Sequence, residues 1–319
     1  MPELAEVEFF RRRWHEAGAG QIVRAARVLA RSRVYRGLAR EFRGGANALA
    51  RALAGRRFAE SGTHGKQMWF GFTERNAKRG ADALWVGVHL GMTGELLVEH
   101  GGYAPAKYDA LVLELERCTL VFNDPRQFGR VHAWLGPEGT RPPWLRDLPP
   151  VVTAPEFSAE AVRDYLARHA RAPLKAVLLQ QERFPGIGNW MADEILWRAG
   201  LHPALPAGRA ARLANRLHAA VREVAEDALR VIAGAGGPLP PDHNANIPDT
   251  WLFLHRWRDG GRCPHTGRPL RRAVIGGRAT CWSPARQRAP RFTKEFEQKE
   301  TKPTKKHPKS KTHRSSQST

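Results

Sequence analysis

Residues 184–203, FPGIGNWMADEILWRAGLHP, decide how this chain is read. Gly186 and Gly188 permit a tight backbone turn, Asn189 suits a helix N-cap, and Asp193 and Glu194 fall in early helical turns where carboxylates are favoured. Apolar residues then recur at helical spacing, Met191 with Ile195 and Ala192 with Leu196, until Gly200 and Pro203 stop the element. A glycine turn feeding a helix N-terminus offers unpaired amide groups and the positive end of the helix dipole to an anion. The 319 residues hold 52 Lys and Arg against 31 Asp and Glu, a formal charge of +21, which implies a polyanionic partner. The anion expected at the turn is a nucleic-acid phosphate. Such a turn alone also fits a plain helix start, so the flanking sequence has to decide.

On either side of this turn the sequence is helical. Ser158 is placed to cap a helix with Val162, Tyr165, Leu166 and His169 on one stripe; a short helix is expected over 174–181 and a long one from about 209 to 232. Residues 136–155 are rich in Gly and Pro and are expected to be a linker; 233–250 have the same character and are expected to lack regular structure. Before the linker, from residue 22 to about 121, short apolar or alternating runs broken by glycines (22–29, 68–72, 84–90, 96–99, 110–116, 119–122) predict a β-sandwich or barrel-like domain. The length accommodates two domains. No run of 18 apolar residues is present, the acidic opening MPELAEVE does not read as a secretory signal, and Cys118, Cys263 and Cys281 are spaced as in a reduced intracellular protein.

Residues 3–17 predict an amphipathic helix, with Leu4, Val7, Phe10 and Trp14 on one stripe. Pro2 just before it is common enough in proteins to mean nothing alone. Once Met1 is removed, however, Pro2 carries a free secondary amine, and an α-amino group with a pKa near about 8 is partly unprotonated at neutral pH. Such an amine attacking a sugar C1′ forms a cationic iminium, an electron sink that expels the base and acidifies the C2′ proton. Glu3 is an adjacent carboxylate able to move protons, and Glu6 lies one turn on.

Several blocks, in order, resemble the bifunctional DNA glycosylases of the formamidopyrimidine-DNA glycosylase and endonuclease VIII family. GIGNWMADEILWRAGLHP resembles the family's helix-two-turn-helix segment, MPELAEVE its opening, VHLGMTGEL (88–96) its H-L-G-M-[ST]-G element and NDPRQFGRV (123–131) its D-P-R-R-F-G loop. The likeness covers most of residues 1–288, and the Met, Arg and Phe of these loops favour the formamidopyrimidine branch. It implies that Pro2 is the nucleophile, that Glu3 is the acid/base supported by Glu6, and that Lys66 in THGKQMWF (63–70) contacts the lesion phosphate and assists catalysis. It also implies that Met92, Arg126 and Phe128 fill the gap left by an extruded nucleotide, Arg126 facing the orphaned base, and that Asn189 and Lys175 contact phosphates. Two departures are small. Ala5 stands where the opening block commonly has Pro, and Gln180 where relatives often have Asp. The composition of 233–250, where bacterial relatives hold a loop over 8-oxoguanine, makes ring-opened purines or oxidised hydantoins at least equal candidates.

The largest departure is CPHTGRPLRRAVIGGRATCWSPARQ (263–287). The family's zinc-finger form reads C-P-x-C-G and G-G-R-[GST]-x-x-x-C-P-x-C-Q. Here Cys263 survives, but the other ligand positions fall on Thr266, Ser283 and Arg286, which cannot close a tetrahedral site; Cys263, His265, Cys281 and His255 provide no C-x₂₋₄-C pair either. The reading is a zincless finger without cofactor, with strands at about 270–275 and 279–282 around a glycine tip, as the resemblance to plant and some animal members implies. Arg278 matches the finger arginine that grips phosphates beside the lesion. Beyond 288 the Lys-rich tail predicts disorder, as a solvated extension or an electrostatic tether.

The expected molecule is an α+β multidomain protein: an N-terminal β-sandwich with flanking helices (1–135), a linker (136–155), a helix-two-turn-helix domain (156–250), a zincless-finger β-hairpin (251–288) and a disordered basic tail (289–319). The expected function is a glycosylase and AP lyase that excises oxidised or ring-opened purines from double-stranded DNA. The expected setting is a monomer in a bacterial cytoplasm, held at the nucleoid by DNA. The alternatives are an AP lyase without base excision and a non-catalytic DNA- or RNA-binding protein.

Overall fold

The computed structural model of the chain describes residues 2–76, 81–137, 139–140 and 142–290. Met1, whose removal the chemistry expected of Pro2 requires, and tail residues 291–319 lie outside the described residues. Helix α1 (Leu4–Gly18) opens the fold as expected, burying Leu4, Val7, Phe10 and Trp14. Two four-stranded antiparallel sheets follow. One runs β1 (Ala25–Val28), β6 (Asp109–Glu114), β7 (Thr119–Asn123), β5 (Glu95–Glu99); the other runs β2 (Arg57–His64), β3 (Gln67–Thr73), β4 (Asp82–His89), β8 (Arg130–Pro137). Their inner faces interdigitate around Phe58, Phe70, Phe72, Leu96, Leu113 and Phe122, all buried. Helices α2 (Leu38–Glu41) and α3 (Gly45–Leu53) flank the sandwich.

The six runs read from sequence correspond to β1, β3, β4, β5, β6 and β7. The reading missed β2 and β8 and the helices α2 and α3, for physical reasons. In β2, RFAESGTH, only Phe58 is buried, so no alternation shows. In β8 the buried residues are Val131, Ala133 and Gly136, which breaks the alternation and belongs to a Gly-Pro pair that resembles a turn signal.

The helical half contains α4 (Ala159–Arg168), α5 (Leu174–Leu178), α6 (Asn189–Arg198), α7 (Ala207–Ala210) and α8 (Ala214–Ala233). Ser158 Oγ caps α4 by accepting from the Ala161 amide at 3.2 Å. The long helix expected from 209 is interrupted by a 3-10 turn, Ala211–Leu213, so α8 starts at Ala214. No helix or strand lies within 234–250. Strands β9 (Arg271–Ile275) and β10 (Arg278–Trp282) form the terminal hairpin around Gly276 and Gly277, which have φ of 61° and 74°. A Cβ on Gly276 would lie 2.7 Å from the Ala176 Cβ, so the hairpin tip rests on α5.

One hydrophobic core runs through both halves, because α1 packs against the sandwich on one side and α8 on the other. Arg12 donates to the carbonyls of Ala233 at 2.7 Å, Gly234 at 2.5 Å and Gly237 at 3.0 Å, closing the C-terminus of α8 with a cation from the other half. Among the described residues, no helix is long and apolar enough to cross a membrane.

The Phe70 ring lies 5.0 Å from that of Trp14 and 5.8 Å from that of Phe58 and is fully buried. Phe70→Ala is expected to lower the unfolding free energy by about 3–5 kcal/mol in urea titration, because the cavity sits where α1 packs on the sheet that carries Phe58 and Phe70.

Candidate active site

The Glu3 carboxylate occupies the N-terminus of α6. Oε2 accepts from the amides of Gly188 at 2.8 Å and Met191 at 3.1 Å, and Oε1 from that of Trp190 at 2.9 Å. Two sequence expectations are thereby corrected. Asn189 is the first helical residue, with Gly188 at the N-cap position, and the anion at the turn is a side chain of this protein rather than a phosphate. Glycine is required for the approach: a Cβ on Gly188 would lie 2.3 Å from the Glu3 Cδ. Gly186 and Gly65 adopt φ of 93° and 60°, and a Cβ on Gly65 would lie 3.0 Å from the Gly186 nitrogen. Leu4 N donates to Gly186 O at 3.1 Å, so the start of α1 and the glycine turn meet backbone to backbone.

Pro2, half-buried, directly precedes this carboxylate. Glu6 accepts from the Glu3 amide at 3.2 Å and from the Trp190 indole at 2.8 Å. Burial, together with the charge of Glu3, pushes the Glu6 carboxyl up to about 7. Burial also raises Glu3, against the pull of Lys66 and its amide donors. Lys66 donates to Ile187 O at 2.8 Å, and burial lowers its ammonium against the opposing pull of Glu3 and Glu6, with Arg278 adding repulsion. The structure thus brings Pro2, Glu3, Glu6, Lys66 and Arg278 to one place. It adds groups that sequence reasoning missed. Gln181 braces the turn, accepting from Gly186 N at 3.1 Å and donating to Ile187 O at 2.8 Å. His89, half-buried near Lys66, is held below its ordinary value by desolvation and by the charges of Lys66, Arg130 and His132. A glutamine and a histidine carry no local signal for these roles; their partners are brought close only by folding.

Met92, Arg126 and Phe128 gather at a second spot. Met92 is half-buried in the turn after β4, and Arg126 lies over the Phe128 ring at 4.8 Å, with Phe128 51% exposed. Asp124 holds the two loops together, accepting from Thr93 Oγ1 at 3.2 Å and Gly129 N at 2.7 Å. A Cβ on Gly91 would be 2.4 Å from the Phe128 carbonyl carbon, so the loops are in backbone contact.

Lys175 corrects a further expectation. Its side chain is fully buried and its ammonium donates to Asn189 O and Asp193 Oδ1, each at 2.6 Å, so it does not present itself to a phosphate. Asn189 Nδ2 donates to Ala279 O at 2.9 Å, tying α6 to the hairpin beside exposed Arg278.

At the hairpin root, Cys263 Sγ accepts from the Trp197 indole at 3.4 Å; hydrogen bonding by Ser283, Thr266 and Trp197 outweighs burial and brings the thiol down to about 7. Arg286 lies over the Trp197 ring at 5.0 Å and pairs with His265 Nδ1 at 3.0 Å. Thr266, Ser283 and a guanidinium are not a zinc donor set. Among the described residues, no three His, Cys, Asp or Glu are grouped to hold a metal ion.

The family model described as Formamidopyrimidine-DNA glycosylase N-terminal domain matches residues 1–131, and the one described as Formamidopyrimidine-DNA glycosylase H2TH domain matches 148–236. The formamidopyrimidine-DNA glycosylase of Thermus thermophilus is 36% identical over 294 residues, covering 90% of this chain and 98% of that protein. Its counterpart in Chloroflexus aurantiacus is 30% identical over 302 residues, with coverage of 90% and 98%. The crystal structure of the MutM (Fpg) protein from Thermus thermophilus superposes with a TM-score of 0.66 at 32% identity, covering 90% of this chain and 98% of that one. The Lactococcus lactis Fpg (MutM) complex with N7-benzyl-Fapy-dG-containing DNA shares the fold with a TM-score of 0.72 at 23% identity, covering 90% and 100%.

Two outcomes follow from the Glu3 site. Gly188→Ala is expected to expel the carboxylate and lower stability by about 1–3 kcal/mol in thermal unfolding, the cost of losing its amide bonds at the helix end. A raised carboxyl makes the folded state the better proton binder, so the stability Glu6 contributes is full below its ordinary pKa of 4.5 and lost as pH rises through about 7. The stability of Glu6→Gln minus that of wild type should therefore increase from pH 5 to pH 8 in denaturant titrations; a flat difference would contradict the assignment.

Proposed function

Since the chain belongs to the formamidopyrimidine-DNA glycosylase family and is a DNA glycosylase of base excision repair, we propose that it acts through the secondary amine of Pro2 and also cleaves the strand as an AP lyase. The carrying observation is that the carboxylate of Glu3, next to Pro2, is buried and fixed by three amides from the far half of the molecule. Pro2 N attacks C1′ of an extruded nucleotide, the glycosidic bond breaks, and the base departs with a proton. The adduct nitrogen loses its proton, and its lone pair then opens the C1′–O4′ bond, with O4′ taking a proton from Glu3, which gives the iminium. Abstraction of a C2′ proton then expels the 3′ phosphate by β-elimination, and δ-elimination expels the 5′ phosphate, leaving a one-nucleotide gap. Glu3 shuttles the protons. Its burial favours the neutral form and its amide bonds and Lys66 favour the charged one, a balance suited to gaining and losing a proton.

The DNA partner is a duplex with a damaged base or an abasic site. Lys66, Asn189 and Arg278 hold its backbone by charge-assisted hydrogen bonds, while Met92, Arg126 and Phe128 enter the gap. The exposed Phe128 with its stacked Arg126 supports that role. The donor set at the hairpin root supports a finger that works without zinc. The composition of 233–250 makes ring-opened purines or hydantoins at least equal candidates to 8-oxoguanine, and an AP lyase without base excision is the second reading consistent with it.

Borohydride trapping on duplexes carrying formamidopyrimidine-guanine, 8-oxoguanine or an abasic site tests this. Wild type is expected to form a covalent adduct that Pro2→Gly loses in the Met1-processed form. Glu3→Gln is expected to slow excision at least about a hundredfold, the scale of a lost general acid/base, with its unfolding curve recorded alongside because the cap is weakened too. Trapping on the abasic duplex alone would select the second reading. Binding to all three with trapping on none would leave a non-catalytic DNA-binding protein.

A further inference from the structure

Asp193 lies in the second turn of α6, away from the reacting groups, and its carboxylate is fully buried. Oδ1 accepts from Lys175 Nζ at 2.6 Å; Oδ2 accepts from Arg256 Nε at 3.0 Å and Nη2 at 2.5 Å, and from the backbone amide of Cys281 at 3.0 Å. One carboxylate thus gathers α5, the turn leading to the hairpin and strand β10. Two further bonds extend it outward. Lys175 also donates to the main-chain oxygen of Asn189 at 2.6 Å, and Asn189 Nδ2 donates to Ala279 O at 2.9 Å, next to Arg278.

Burying one anion with two cations is a costly way to fill a core, and apolar side chains would do it at least as well. A carboxylate supplies what apolar packing lacks, which is direction: its lone pairs accept along fixed lines from donors whose positions are thereby set. Here one donor, the Cys281 amide, lies in the strand that carries Arg278, and another, Lys175, also holds the main-chain oxygen of Asn189, beside a hairpin root whose residues do not fit a metal.

We propose that Asp193 is a positioning residue for strand cleavage and base removal. Acting through Lys175, Arg256 and the Cys281 amide, it fixes the Asn189 side chain and the Arg278 guanidinium at the separation at which both grip the DNA backbone around an extruded nucleotide. The proposal rests on the reading of Asn189 and Arg278 as backbone contacts given above.

The test measures affinity of the full chain for a duplex with a stable abasic analogue and for an undamaged duplex, with single-turnover excision on the damaged one. Asp193→Asn, Asn189→Ala, Arg278→Ala and the Asp193→Asn/Asn189→Ala double variant are compared. For Asp193→Asn, binding to the abasic analogue and the excision rate should each fall at least about tenfold, with less than about threefold change on undamaged duplex. The double variant should be no worse than about threefold below the weaker single one, because two changes on one path do not add. A folded Asp193→Asn that binds the analogue like wild type, or a double variant showing the full product of both losses, overturns the proposal. Should Asp193→Asn unfold, Arg256→Gln, which leaves Lys175 paired, replaces it in both arms with the same outcomes. If Asn189→Ala and Arg278→Ala themselves bind the analogue like wild type, the grip reading has failed and the proposal falls with it; if they lose affinity and Asp193→Asn does not, Asp193 alone is refuted.

Discussion

The carboxylate of Glu3 at the amino end of α6 is the interaction on which the rest depends. A charge taken out of water has to be matched by donors, and three backbone amides at a helix end match it without side-chain entropy loss. The geometry of the turn follows from that demand. Gly188 has no Cβ because the carboxylate lies where one would be, and Gly65 and Gly186 take positive φ because two backbones pass at contact distance. Placing Glu3 also places Pro2, and Leu4 N on Gly186 O prevents the helix start from sliding. Pro2 therefore takes its position from the half of the chain that does not contain it.

Much of this architecture was legible in sequence. Helix α1, six of the eight sandwich strands, the helices around the glycine turn and the hairpin each announce themselves by periodicity or by glycine placement. What was not legible has long-range causes. Phe58 alone is buried in β2, so the strand shows only when its partner β3 is known. Lys175 reads by resemblance as a phosphate contact until Asp193 is found paired with it in the core. The glycine turn was correctly read as an anion site, but its anion lies 185 residues away, beyond any local pattern. Family resemblance located Glu3 and Lys66; only the fold shows them acting on one another.

The hairpin root, where Thr266, Ser283 and Arg286 do not make a zinc donor set, is held by a series of separate contacts. Trp197 donates to Cys263, Arg286 stacks on Trp197, and Gln287 accepts from Ser283 N at 2.8 Å while donating to Leu201 O at 2.9 Å. Together with the Cys281 amide on Asp193, these bonds spread over several weak contacts the constraint that a tetrahedral ion concentrates at one point. Each is worth about 1 kcal/mol, or somewhat more where a charge takes part, so the hairpin's position reflects their number rather than any one of them.

The distance between Glu3 and its partners has a consequence for synthesis. The end of the chain that carries Pro2 and Glu3 is made first, yet the amides that hold Glu3 belong to residues 188–191. At ribosomal rates of about 5–20 residues per second, on the order of ten to forty seconds separate the two. Throughout that interval the sandwich can form, but the carboxylate beside Pro2 has nothing to hold it. A nascent or truncated chain therefore carries Pro2 without the amides that hold its neighbour, and on the proposed mechanism sugar chemistry waits until translation has delivered the helical half.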